Sequence, residues 1–381
     1  MKEGWDTRVF DDCINPVKYS RKIQRKDFLK EGRYPIISQE SELINGCWDD
    51  EADVFRVSSP VIIFGDHTQI LKYVDFDFVL GADGVKILDP RNFLQPRFFF
   101  YQLQASSISS LGYARHYRLL RELNIKVPPL PEQQRIVALL DKAFEALATA
   151  KANAEQNLQN ARALFESHLE SVFSQRGEEW VEMPLAELCG IKHGYAFDGQ
   201  FFSREGDYVL LTPGNFYEQG GYRDRGEKQK YFIGEIPQEY VLREGDLLVA
   251  MTEQAAGLLG SPILVPESGK FLHNQRLGLV QGKPGIPWTN EFFFHVFNTR
   301  HVRDEIHSSA SGVKVRHTSP SKIGDVLVSF PASIDEQMDI VSKLSSHSVE
   351  TQRLTSIYER KLAALEELKT SLLHQAFSGE L

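Results

Sequence analysis

The sequence predicts a mixed α/β (α+β) fold in which two globular units of short strands and helices alternate with two long helices. Three observations carry this expectation: a segment that recurs at a fixed offset, the proline-free, helix-forming make-up of that segment, and the short turn-bounded apolar runs elsewhere. Residues 130–175 align without gaps on residues 334–379 at an offset of 204, with 12 identities in 46 positions. Among the identities are Glu132 with Glu336, Gln133 with Gln337, Ile136 with Ile340, Leu169 with Leu373 and Phe173 with Phe377. Self-similarity at one spacing marks a duplicated unit. Fainter echoes flank it: Trp5 and Cys13 match Trp180 and Cys189, GRYPIIS (32–38) matches GDYVLLT (206–212), and FFFYQL (98–103) matches FFFHVF (292–297).

The expected order is therefore globular unit 1–127, helix 128–177, globular unit 178–330 and helix 331–381. In the first unit VFRVSSPVIIFG (54–65), QILKYVDFDFVLG (69–81) and GVKILD (84–89) are β-branched and aromatic runs punctuated by Gly and Pro, as strands are. RFFFYQL (97–103) reads as a short helix before a Ser-rich loop. From Pro131 to Pro184 no proline intervenes, and Ala, Leu, Glu, Gln, Lys and Arg, the strongest helix formers, dominate. Apolar or small residues recur at Leu140, Phe144, Leu147, Ala154, Leu158, Ala161, Phe165 and Leu169, near the three-and-four step of a coiled-coil seam, with Lys151 in one slot. The second unit offers YVLLT (208–212), DLLVAM (246–251), SPILV (261–265) and LGLVQG (277–282) as strands and EFFFHVF (291–297) as its helix. The final helix repeats the seam with Leu354, Tyr358, Leu362, Leu365, Leu368 and Leu372. Each long helix follows prolines, a common start signal. About 40 residues span roughly 60 Å, and an apolar stripe of that length needs a partner. The other copy is the natural one, paired antiparallel about a pseudo-twofold axis with the globular units at opposite ends.

Net charge is -9 from 43 basic and 52 acidic residues, which excludes indiscriminate coating of nucleic acid. The charge is uneven: residues 1–127 carry 18 basic and 18 acidic groups, whereas 176–330 carry 16 and 20. Basic clusters stand out at 18–30 (Arg21, Lys22, Arg25, Lys26), 114–126 (Arg115, His116, Arg118), 222–230 (Arg223, Arg225) and 311–317 (Lys314, Arg316, His317). Lys192, Tyr195, Asn215, Gln275 and Arg276 add cationic, aromatic and amide groups. Lys and Arg suit phosphates, while Arg, Asn and Gln can read base edges, so these residues are the candidate DNA contacts. A solvated face of mixed charge is the competing reading.

Three cysteines, none in a two-residue-spaced pair, suggest a reducing compartment, and no apolar run has signal-peptide or membrane-span length, so a cytoplasmic location is expected. A phosphate loop is absent because Gly269-Lys270 and Gly282-Lys283 continue into Phe271 and Pro284. Asn15-Pro16 continues into Val17, which breaks the adenine-methyltransferase motif, and Glu359-Arg360-Lys361 lies inside a predicted helix without the acidic partner a nuclease needs. No catalytic residue and no metal site is assigned; the chain reads as one that recognises.

The segment VPPLPEQQRIVALLDKAFEAL (127–147), the second EQMDIVSKL (336–344) and the terminal LLHQAFSGEL (372–381), with two diverse units between them, resemble the specificity subunit of type I restriction-modification systems. The resemblance covers essentially the whole chain, although Asp335 replaces the Pro or Ser often met before the second Glu-Gln. It implies that each globular unit is a target-recognition domain for one half of a bipartite double-stranded DNA site and that the helices set the spacer. Two modification subunits, holding S-adenosylmethionine and the DNA-methylation chemistry, would dock on the helices, and restriction subunits using ATP and Mg would join them. The chain itself would be non-catalytic and hold no cofactor. Glu132, Gln133, Ile136, Leu140, Phe144, Leu158 and Phe173 on the first helix, and Glu336, Gln337, Ile340, Leu365, Leu372 and Phe377 on the second, are then expected at docking or helix-pairing faces. A coiled-coil scaffold or decoy that binds modification subunits without reading DNA is the alternative.

Overall fold

The computed structural model describes residues 4–81, 84–106, 108, 109, 112, 114–175, 177, 179–253 and 257–381. Glu178, the expected first residue of the second globular unit, and Ser107 and Ser110 of the Ser-rich loop lie outside the described residues. The chain divides into two compact units, Met1–Asn157 with Tyr358–Leu381 (unit 1) and Leu158–Ile357 (unit 2). No helix among the described residues is long and apolar enough to cross a membrane.

Both repeated segments are single helices of 45 residues, Leu130–Ser174 and Ile334–Ser378, whose first and last residues differ by the same 204 positions. Each unit holds the N-terminal part of one helix and the C-terminal part of the other, running antiparallel. In unit 1 Arg135 donates to the Leu381 carbonyl at 2.8 Å and Lys151 Nζ meets Glu366 at 2.6 Å. In unit 2 the His168 and His347 rings lie 3.9 Å apart, while Phe173 shares a core with Ile340 and Val341. The apolar seam is the cause: Leu140, Ala154, Ala161 and Leu169 are buried, Phe144, Leu147, Leu158 and Phe165 half-buried, and Lys151 stays in solvent. The second helix departs from its expected seam at Leu368, which is 48% exposed, while Leu373, the repeat partner of Leu169, is buried.

The expected strands form, shortened where polar bends interrupt them. The run 54–65 splits into Val54–Phe55 and Val61–Gly65 around Ser58-Ser59-Pro60. The run 69–81 splits into Leu71–Val74 and Phe78–Gly81 where the Asp77 carboxylate turns back to accept the Val57 N–H at 2.8 Å. Unit 1 carries an antiparallel sheet in the order Ile14–Asn15, Val85–Pro90, Val61–Gly65, Leu71–Val74. Unit 2 repeats it as Cys189–His193, Leu277–Gly282, Leu247–Ala250, Pro262–Leu264. A second mixed sheet follows in each, built on Tyr34–Ile37 in unit 1 and Tyr208–Leu210 in unit 2. The helices Pro96–Ala105 and Asn290–Asn298 bury their phenylalanines (Phe98, Phe99; Phe292, Phe293, Phe297) in the cores.

One polar device joins each long helix to its globular part. Gln133 is fully buried: its Oε1 accepts the Gln95 N–H at 2.7 Å, and its Nε2 donates to the carbonyls of Phe93 and Pro128 at 2.9 and 2.8 Å. Gln337, 204 residues on and equally buried, accepts from Thr289 Oγ1 at 3.0 Å and donates to the carbonyls of Pro287 and Pro331 at 2.8 and 3.0 Å. A buried amide with every such bond made locks the helix start against the turn that opens the phenylalanine helix. These two glutamines, expected on a docking or pairing face, are therefore internal clamps. Ile136, Leu140 and Phe377 are likewise buried in the unit 1 core, with Phe144 and Leu372 packed against it, and Phe173 and Ile340 pack against the unit 2 core. Glu132 pairs with Arg135 at 2.7 Å, and Glu336 accepts the Trp180 indole N–H at 2.9 Å. Leu158 and Leu365 are half-buried on their helices.

Candidate nucleic-acid interface

In unit 2 the four-stranded sheet gathers the candidate contacts at one end. Strand Cys189–His193 finishes there with Lys192 and leads to Tyr195, whose N–H donates to the His273 carbonyl at 2.9 Å and whose carbonyl accepts the Gln275 N–H at 3.0 Å. Gln275 and Arg276 occupy the exposed turn that opens strand Leu277–Gly282. Strand Leu247–Ala250 ends at the same edge, and the short ladder Thr252–Glu253 with Arg316–His317 continues from it. Exposed Tyr195 packs beside Tyr240, with centroids 5.3 Å apart, and Lys192 sits 4.6 Å over the Tyr240 ring, which fixes the cation beside an aromatic face.

A long loop from the second sheet reaches the same end. Thr212 donates both its backbone N–H and its hydroxyl to Asn215 Oδ1 at 3.0 Å, and Asn215 Nδ2 bonds Gln229 Oε1 at 3.0 Å. The loop turns tightly between Phe216 and Tyr222 and hangs on the sheet edge through Ser261 Oγ to Tyr217 O at 2.6 Å and Gly221 N to Pro262 O at 2.9 Å. Gly220, at φ +82°, abuts Asn298 so closely that a Cβ would lie 2.2 Å from its amide nitrogen. Asn215, expected to read bases, is 1% exposed and its amide is spent inside the loop. What the loop presents instead is Tyr217, half exposed, with Arg223 above its ring at 5.9 Å and Arg225 nearby, packed against Gly214.

Unit 1 builds the same end from different residues. After strand Tyr34–Ile37, Ser38 donates its N–H and hydroxyl to Asn45 Oδ1 at 2.8 and 2.9 Å, closing the loop 38–45. Lys72, 5% exposed, bonds Asn45 Oδ1 at 3.0 Å and the Glu42 carbonyl from beneath, and burial pulls its ammonium down to about 8. Thr68 Oγ1 donates to the Gln39 carbonyl at 2.7 Å, so the loop rests on the turn after strand Val61–Gly65. Leu43 and Ile44 project from its tip. Asp66 accepts the Tyr117 N–H at 2.7 Å, which ties the segment carrying Arg115, His116 and Arg118 to the same edge.

Several candidate cations are already engaged. Arg21 lies 3.8 Å from Asp53, and Arg25 lies 3.0 Å from Glu40. Lys22 is held on a strand with its ammonium 5.5 Å from the Tyr19 ring, and Lys26 is exposed in the neighbouring turn. His116 is buried against the Asp66 carbonyl, whereas Arg115 and Arg118 are exposed. Arg316 is drawn inward by Glu253, 3.4 Å away, and by the His307 carbonyl, while Lys314 and His317 remain exposed around Val313, which is 99% exposed.

Glu253, unrecognised from sequence, organises this corner: one carboxylate oxygen accepts the N–H groups of Gly257, Leu258 and Leu259 at 3.0, 3.0 and 2.9 Å. Lys72 and Asp66 were equally invisible, because a lone charge in a strand or turn carries no spacing signal; only Lys72's place inside an apolar strand hints at burial. Behind the corner a cavity of about 520 Å³ is lined by Glu166, Glu170, Glu218, Asp304 and Arg303, whose guanidinium burial lowers to about 10. Four carboxylates against the guanidiniums of Arg300 and Arg303 leave that lining net acidic, which disfavours a phosphate backbone and leaves the sheet end as the face suited to nucleic acid.

The model of the type I restriction modification DNA specificity domain matches the chain twice, at residues 2–159 and 177–366. The chain is 20% identical to the type I restriction enzyme MjaVIII specificity subunit of Methanocaldococcus jannaschii, with 100% of this chain and 94% of that protein covered. It is 24% identical to the Escherichia coli EcoBI specificity subunit over 58% of this chain and only 43% of that protein's length. Among solved structures, a chain from work on complex assembly and conformational transition of the type I R-M system superposes with TM-score 0.75 at 18% identity, covering 100% and 99% of the two chains. The HsdS subunit from Thermoanaerobacter tengcongensis gives 0.56 at 17% identity, covering 100% and 98%. At these identities the structural likeness speaks for the fold.

Proposed function

The chain belongs to the family of the type I restriction modification DNA specificity domain, and from that premise we propose that it is the DNA-specificity subunit of a type I restriction-modification complex. In this reading residues 1–127 and 178–330 are two target-recognition domains, each reading one half of a bipartite double-stranded DNA target. Helices 128–177 and 331–381 set the spacer and dock two modification subunits. Specificity subunits of this family are non-catalytic, so the methyl transfer that uses S-adenosylmethionine, and the cleavage that uses ATP and Mg, belong to partner subunits. The observation that carries the proposal is the repetition, in both units, of one sheet end with an asparagine-closed loop and exposed cationic residues beside it, joined in unit 2 by Tyr195 and Tyr217. Two equivalent surfaces of different composition suit two half-sites of different sequence.

The test is methylome sequencing of a host expressing the chain with its modification subunit. The expected result is methyladenine in a motif of two specified halves separated by a fixed unspecified spacer. Methylation without a bipartite motif, or a modification subunit that binds the chain while the complex shows no specific DNA affinity, would instead support a scaffold or decoy.

A further inference from the structure

We propose that base readout resides in the two asparagine-closed loops, 38–45 and 212–223, with Arg223 reading a guanine for one half-site and Leu43 with Ile44 contacting thymine methyl groups for the other. The inference rests on the reading of the chain as a DNA-specificity subunit and says where, and for which bases, that specificity lies.

The comparison between units separates what duplication kept from what it changed. The stem is kept: a hydroxyl residue after the equivalent strand, Ser38 or Thr212, gives two hydrogen bonds to one amide oxygen, from Asn45 or Asn215. The displayed residues are changed: Leu43 and Ile44, 45% and 50% exposed, in one unit, and Tyr217, 50% exposed, beside Arg223 in the other. Elements that read two different half-sites must differ, whereas their mounting need not. The opposite pattern holds for the segments that follow the phenylalanine helices. Ser106-Ser107-Ile108-Ser109 leads to Arg115-His116 and Ser308-Ser309-Ala310-Ser311 leads to Arg316-His317, a shared sequence whose exposed members, Arg115 in one unit and His317 in the other, suit what both half-sites share, the phosphate backbone, while His116 and Arg316 hold the segment to its unit.

The chemistry of each tip then selects the base. An arginine fork pairs bidentately with guanine O6 and N7, and aliphatic side chains meet the thymine methyl in the major groove. Among the described residues Arg223 has no carboxylate partner, in contrast to Arg21, Arg25 and Arg316. Its backbone is pinned by Arg223 N to Asn215 O at 2.7 Å, so the guanidinium is presented from a fixed stem. A loop closed in advance by Asn215 and Gln229, or by Asn45 and Lys72, loses little further freedom on binding.

The experiment sequences methyladenine in hosts expressing the modification subunit with the native chain, Arg223→Ala, Arg223→Lys or the double variant Leu43→Ala/Ile44→Ala. The native chain gives a bipartite motif. Arg223→Ala relaxes a G·C position in one half roughly 5- to 150-fold and leaves the other half unchanged. Leu43→Ala/Ile44→Ala relaxes an A·T position in the other half only. Arg223→Lys keeps the charge but not the fork, so it also relaxes the guanine; a Lys variant with native preference would make Arg223 a phosphate contact and overturn the assignment. Should an alanine variant fail to accumulate, Arg223→Lys decides for unit 2. A bipartite native motif that all variants leave unchanged overturns the loop assignment alone, whereas a native motif that is not bipartite overturns the functional reading beneath it.

Discussion

At positions 204 residues apart the two units solve the same packing problem with opposite chemistry. Unit 1 sets Leu372 against its core on the helix pair that includes Ala143, whereas unit 2 stacks His168 against His347. The difference extends inward. Burial holds His273 and His295 of unit 2 down at about 4, and it lowers His168 and His307 as well, with the neighbouring His347 adding to the effect at His168. The amide clamps, the strand order and the phenylalanine helices are common to both units. Duplication has thus preserved the groups whose hydrogen bonds define the frame, while buried titratable groups have been free to differ.

The sharpest way to break this comparison is to remove the clamps. Gln133→Ala leaves the Gln95 N–H and the Phe93 and Pro128 carbonyls unpaired, and Gln337→Ala does the same to Thr289, Pro287 and Pro331. Each substitution should cost about 3–5 kcal/mol. Denaturant unfolding should show matched losses, and hydrogen exchange should assign each loss to its own unit; a neutral Gln337→Ala would end the equivalence.

The next effect is acid sensitivity. A histidine whose folded value lies below the ordinary 6.5 takes its proton in the unfolded chain first, so stability is full above about pH 6.5 and falls as the pH drops toward 4. At pH 5 His273 and His295 should each cost unit 2 about 2 kcal/mol. Hydrogen exchange at pH 7 and pH 5 should show unit 2 opening first, and His295→Leu should lessen the difference.

A smaller effect separates the loops from their frames. Asn45→Ala strips the acceptor from three donors, the buried Lys72 ammonium among them, and Asn215→Ala from two; each should cost about 1–3 kcal/mol, Asn45→Ala the more. Faster amide exchange should be confined to 38–45 or 212–229. Smallest of all, Lys151→Ala breaks the exposed pair with Glu366, where unit 2 has Thr355 and Arg162, and should leave thermal melts essentially unchanged, because solvent screens such a pair.

The repeat was legible because helices that pair along their length must keep an apolar residue every three or four positions; that constraint preserved Ile136 with Ile340 and Phe173 with Phe377. The phenylalanine helices and most strands were legible for the same reason, as runs that bury one face. The basic clusters were visible as composition, but their roles were not. Arg21, Arg25 and Arg316 find carboxylates distant in sequence, and Asn215 and His116 turn out to be interior.

By itself, then, the sequence determined the duplicated plan, the two long helices and their seam, and the absence of bulk cationic charge, since periodicity and composition are local quantities that one chain displays. Only the tertiary structure decided that Gln133 and Gln337 are clamps, that Lys72 and Glu253 hold loops, and that Tyr195, Gln275, Arg276 and His317 meet at one sheet end. A buried charge or amide is defined by the donors and acceptors that surround it, and strand pairing joins positions as far apart in the chain as Trp180 and Pro331, a separation over which sequence spacing carries no geometric information.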